Sequence, residues 1–150
     1  MPEGPETKNM ADGISKALIG RKILSFKFLY KSLLPLSNLK SFSITHVTSK
    51  GKAIIIELDN KFSIITHNQL YGKWTFHRPS TVMRTKRQLR IEFSTKSKIV
   101  RLWSATDIAV YNKDDIKKHP YIKKLGPDIL DKKTTDKIIL ARLKDKRFKN

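Results

Sequence analysis

From residue 23 to residue 111 no apolar-patterned segment reaches the length of an ordinary helix before turn residues interrupt it. This punctuation constrains the fold more than any other feature. Residues 23–30 place Phe26, Phe28 and Tyr30 on one alternating face, and residues 42–49 alternate again. Residues 52–58 carry the continuous run Ala53-Ile54-Ile55-Ile56, and Asp59-Asn60-Lys61 is a hairpin turn into residues 62–67. Residues 73–77 are short and aromatic, and residues 88–94 alternate through Leu89, Ile91 and Phe93. A turn at residues 95–98 leads into residues 99–104, and residues 108–111 complete the set. Residues 32–40, with Pro35, Ser37 and Asn38, read as a loop. Seven or eight short strands joined by tight turns predict a mainly β protein with flanking helices, an antiparallel two-sheet β-sandwich.

The flanks differ. Residues 3–19 read as a helix with Met10, Ile14, Ala17 and Leu18 on one face. Gly13 weakens its middle and Gly20 is placed to stop it. After Asn112 the strand pattern ends. His119-Pro120 and Gly126-Pro127 punctuate a polar connector, and residues 135–143, with Ile138, Ile139, Leu140 and Leu143, read as a further helix. The expected organisation is a domain over 1–111, a connector over 112–131 and the start of a helical unit over 132–150.

Charge points to the partner. The 150 residues include 32 basic and 13 acidic side chains, a net charge of +19. Such an excess on a folded domain favours a polyanion, bound through salt-dependent phosphate contacts. The densest stretch holds Arg78, Arg84, Lys86, Arg87, Arg90, Lys96, Lys98 and Arg101 against Glu92 alone. There is no cysteine, which excludes disulfides, a thiol nucleophile and thiolate-bound zinc within these residues. His46, His67, His77 and His119 lack metal-ligand spacing and read as structural or phosphate-contacting. No metal or cofactor is expected. No apolar run approaches the roughly 20 residues that span a bilayer, and the acidic, proline-rich start is no secretory signal. The expected location is therefore the cytoplasm, at the nucleoid.

Pro2 follows Met1 directly. Removal of Met1, common before a small residue, exposes a secondary amine. An α-amine has a reference pKa near 7.7–8.0, so a useful fraction is neutral and nucleophilic at pH 7. Its addition to an aldehyde gives an iminium, an electron sink that acidifies the adjacent C–H and permits β-elimination. Glu3 lies beside it to carry protons.

Four segments carry a family resemblance. Met1-Pro2-Glu3-Gly4-Pro5-Glu6 resembles the start of the formamidopyrimidine-DNA glycosylase and endonuclease VIII family of base-excision repair enzymes. Ser49-Lys50-Gly51-Lys52-Ala53 resembles the family's turn holding a catalytic lysine. His67-Asn68-Gln69-Leu70-Tyr71-Gly72 is similar to the endonuclease VIII form of the loop that fills the gap left by a flipped base. His119-Pro120 through Leu125-Gly126-Pro127-Asp128 resembles the interdomain hinge.

The resemblance implies a DNA glycosylase and abasic-site lyase for oxidised pyrimidines, working as a monomer on double-stranded DNA. Pro2 would be the nucleophile at C1′, Glu3 the acid assisting sugar-ring opening, and Lys52 a phosphate contact and proton carrier. Leu70 and Tyr71 would wedge the helix, Gln69 would bond the orphaned base, and Lys124, or equally its neighbour Lys123, would contact DNA beside the hinge. Glu6 is expected to order the N-terminal turn. Thr7 departs from the aliphatic residue usual in the family. The family's second domain, with its helix–two-turn–helix and zinc finger, has only its first helix within 132–150. A truncated chain with half of the DNA clamp is therefore expected, and the alternative function is a non-catalytic, basic DNA-binding remnant.

Overall fold

The computed structural model describes residues 4–67, 72–79 and 85–124. α1 spans Gly4–Leu18, with Glu6 in its first turn and Lys16 in its last, each suited to the helix dipole. Its buried face is Thr7, Ala11, Ile14 and Leu18. Met10 and Ala17, expected on that face, flank it half-buried. Gly20 ends the helix at φ 74, in the left-handed region where only glycine is unstrained.

Eight strands follow: β1 (Ser25–Phe28), β2 (Ile44–Lys50), β3 (Ala53–Leu58), β4 (Phe62–His67), β5 (Lys73–His77), β6 (Leu89–Ser94), β7 (Ile99–Trp103) and β8 (Asp107–Asn112). They form two antiparallel four-stranded sheets, ordered β1-β6-β7-β5 and β2-β3-β4-β8. The predicted sandwich is observed. Between the sheets lie Ile54, Ile56, Leu58, Ile64, Ile91, Phe93, Val100 and Leu102, all at most 2% exposed. Phe26, Phe28, Phe42 and Phe93 meet at centroid distances of 4.7 to 6.0 Å.

Both open sides of the sandwich are closed. α1 lies along β2 and sets Gly13 against the ring of Phe76 on β5, so it bridges one edge strand of each sheet. A Cβ on Gly13 would stand 3.3 Å from that ring, which gives the mid-helix glycine a packing reason. The opposite side is closed by Lys31–Leu36, which packs on β8 and β1. This segment is a 3-10 helix, where the sequence predicts a loop. Leu33 and Leu36, three residues apart on one eclipsed face, are fully buried and hold it.

Within the expected connector, Lys113–Lys118 forms a 3-10 helix and Pro120–Lys124 forms α2. Ile116, Tyr121 and Ile122 fold back over Ala53, Ile55 and Ile65, the outward residues of β3 and β4. The β2-β3-β4-β8 sheet is therefore covered on both faces, which accounts for the unbroken apolar run in β3.

Candidate nucleic-acid interface

β2 and β3 join through a two-residue turn in which Lys50 pairs with Ala53. Gly51 has φ 59 and Lys52 does not share the positive φ, the pattern of a type II′ hairpin turn with glycine first. Closing the ladder at Lys50 and Ala53 leaves the Lys52 N–H outside it. That N–H donates to the Tyr121 hydroxyl at 2.8 Å. Tyr121 is itself fixed: its own N–H donates to Nδ1 of His119 at 3.1 Å. Its ring also meets the His67 ring edge-on at 4.9 Å.

His67 sits between Ala53 and Asp107 in the sheet register. Its Nδ1 is buried without a hydrogen-bond partner among the described residues. Burial pulls the imidazole below its ordinary pKa, Lys52 and His119 push the same way, and Asp107 opposes them.

The short link 104–106 brings the Trp103 end of the other sheet, with its partner Lys73, to the same end of the sandwich as Lys52, His67 and Asp107. Ser104 turns one link with φ 57. It is pinned by an N–H bond of 2.7 Å to the Gln88 carbonyl and accepts the Gln88 N–H on its hydroxyl at 3.3 Å. Beside it Thr85, Lys86 and Arg87 line a shallow depression of about 440 Å³. With exposed Lys73, these residues give the Lys52 end a cationic rim.

Two arginines of the basic stretch do not serve as free phosphate contacts. Arg101 Nε donates to Glu92 Oε1 at 2.7 Å, and both side chains are nearly buried. Arg90 Nε donates to the Ala105 carbonyl at 3.0 Å, and its guanidinium lies 4.6 Å over the Tyr30 ring. Periodicity cannot reveal such cross-strand and long-range partners.

Of the anticipated site residues, Lys52 is placed on a fixed turn at the cationic end. Pro2, Glu3, Gln69, Leu70 and Tyr71 lie outside the described residues, as do Arg84 and the helix predicted over 135–143. Lys124 ends α2, and its side chain lies outside the described set. Tyr121 was not anticipated. Its one sequence signal was position, directly after His119-Pro120. Among the described residues no group of three or more His, Asp or Glu side chains is gathered to hold a metal ion. Among them, too, no helix is long and apolar enough to cross a membrane.

Two helix-closed antiparallel sheets with a cationic rim at one end define a basic β-sandwich domain. The formamidopyrimidine-DNA glycosylase N-terminal domain matches residues 1–108. The chain belongs to that family. Its relatives include Endonuclease 8 of Escherichia coli K12 and of Salmonella typhi, each 35% identical over 151 residues. The match covers all of this chain and 57% of either relative, so the chain spans little more than half their length. Among solved structures, Lactococcus lactis formamidopyrimidine-DNA glycosylase bound to DNA with an abasic site matches with a TM-score of 0.70. The identity is 20%, over 84% of this chain and 50% of that one. MutM in complex with DNA containing carbocyclic 8-oxoguanine matches equally well, with a TM-score of 0.70 at 21% identity. At such identity these structures speak for the fold.

Proposed function

We propose that the protein is a base-excision DNA glycosylase and abasic-site lyase that acts on oxidised pyrimidines through its N-terminal proline. The observation that carries the reading is the Gly51–Lys52 turn, held at the cationic end of a sandwich of this family. Gly13, Lys16 and Ala17 of α1 line one open depression together with Phe76, Ser97 and Lys98, toward the sheet end away from Lys73. A 15-residue helix is about 22 Å long, so its N-terminal turn is directed toward the end that carries Lys52. The pyrimidine preference rests on Gln69-Leu70-Tyr71, which resembles the endonuclease VIII form of the gap-filling loop.

In this reading the free Pro2 amine adds to C1′ of the ring-opened sugar and water leaves, giving an iminium. Loss of a C2′ proton then expels the 3′ phosphate by β-elimination. Glu3 delivers the proton that opens the sugar ring. Lys52 neutralises the adjacent phosphate and carries a proton near the lesion. Leu70 and Tyr71 occupy the gap of the extruded nucleotide, Gln69 bonds the base left behind, and Lys124 contacts the DNA backbone. The partner is double-stranded DNA with oxidised bases or abasic sites, met by a monomer at the nucleoid.

Borohydride trapping on abasic-site DNA tests this. Protein freed of Met1 should form a reduced crosslink, while protein with a blocked terminus should not. Trapping that survives the block would transfer the nucleophile to a lysine and refute the Pro2 assignment. DNA binding by the processed protein without any trapping would establish the binding-remnant alternative. Lys52→Ala should lower abasic-site cleavage about 100-fold while changing DNA affinity far less. Equal losses would reduce Lys52 to a phosphate contact.

A further inference from the structure

We propose that Tyr121 is a positioning residue for Lys52, acting through the backbone of the Gly51–Lys52 turn. The inference rests on the lyase reading above and adds a residue to it.

In a two-residue hairpin the second turn residue has an N–H that the ladder does not use. Left to water, that amide lets the turn rock about the Lys50 and Ala53 pair. Here the Lys52 N–H is taken by the Tyr121 hydroxyl at 2.8 Å across 69 residues of sequence. The acceptor is well held. The Tyr121 N–H is bonded to buried His119, whose ring packs 5.6 Å from Tyr111 on β8. The Tyr121 ring rests on His67 of β4, within the apolar cluster of Ala53, Ile55 and Ile65. The turn is thus tied through one phenol to two further strands of its own sheet.

Lys52 hangs from the fastened residue, so the direction in which its ammonium leaves the sheet follows the turn. Proton transfer and phosphate neutralisation both require heavy-atom placement within hydrogen-bond reach. A freed turn would therefore lower the rate with DNA already bound and leave the encounter with DNA largely intact.

The test uses the full chain freed of Met1. Tyr121→Phe keeps the ring on His67 and removes only the acceptor. Single-turnover cleavage of abasic-site DNA should slow about tenfold, with the dissociation constant for that DNA changed less than twofold. The Lys52 amide should exchange its hydrogen about tenfold faster, the equivalent of one ordinary hydrogen bond. In a double-mutant cycle, Tyr121→Phe should cost nothing further once Lys52 is alanine.

An active wild-type protein whose Tyr121→Phe variant cleaves at the normal rate overturns this inference and leaves the lyase reading standing. Losses that multiply in the double variant also overturn it, because a merely structural tyrosine would act independently of the Lys52 side chain. A wild-type protein that binds abasic DNA but never cleaves it overturns both, so the two failures are distinguishable.

Discussion

The two sheets of the sandwich share one core but treat their outer faces differently. On the β1-β6-β7-β5 sheet the outer face is a polar network. Glu92 stands opposite Arg101, Lys27 lies 3.9 Å from the second Glu92 oxygen, and Thr75 accepts the Trp103 indole N–H at 2.7 Å. On the β2-β3-β4-β8 sheet the outer face is apolar and roofed by residues 113–124. The difference places precision at one end of the molecule. A sheet packed on both faces has few ways to move, and the turn that carries Lys52 is built on that sheet. The other sheet, tied on its outer face by the Glu92–Arg101 pair, supplies bulk and positive charge.

Substitutions can break this contrast. The largest effect should come from Ile65→Ala. Although Ile65 points away from the main core, it should cost about 2–5 kcal/mol, as much as Ile64→Ala on the inner face. Urea melts would show it, whereas Lys27→Ala on the outer face of the other sheet should stay within about 0.5 kcal/mol. If Ile65→Ala proved as mild as Lys27→Ala, the roof over the second sheet would carry no stability.

Next is Glu92→Ala, which strips the nearly buried Arg101 of its carboxylate. A loss of about 3 kcal/mol is expected, at the low end for a broken buried pair, with a smaller loss when Arg101 is changed to Met as well. Equal losses in the single and double variants would mean that the pair does not govern the polar face.

Gly51→Ala forces a side chain to φ 59 and should cost about 1–2 kcal/mol by thermal denaturation. Its effect on abasic-site cleavage should exceed that of Gly20→Ala, which has a similar φ but lies at the end of α1.

The smallest effect is one of pH. Burial holds His67 below its ordinary pKa, and burial with Arg101 nearby does the same to His77. The unfolded chain then binds protons that the folded chain refuses. Stability is complete above the unfolded value near 6.5 and falls as pH drops from there toward the depressed folded values. His67→Gln should flatten part of that slope in denaturation curves at pH 5 and 7. An unchanged slope would show that His67 titrates normally.

Much of the architecture was legible from local pattern. Alternation at Leu89, Ile91 and Phe93 and the turn at Asp59-Asn60-Lys61 marked strands and hairpins, because side-chain period and turn chemistry are local properties. The 3-10 helix at Lys31–Leu36 was missed because Pro35 and the flanking Ser37 and Asn38 resemble a loop. What makes it structure is the burial of Leu33 and Leu36 against two distant strands.

The candidate site divides in the same way. Gly51 and Lys52 could be singled out from sequence because the surrounding residues resemble a known motif. Tyr121 could not, because a phenol 69 residues away becomes the partner of an amide only when the connector folds back over β3 and β4. The sequence by itself determined the strands, the class of fold, the excess of positive charge and the turn that presents Lys52. Each follows from neighbours a few residues apart. Tertiary structure alone decided which arginines are consumed internally, which sheet is buried twice and what holds the lysine still. Those outcomes depend on which distant groups packing brings within hydrogen-bond reach, and short-range pattern does not encode that.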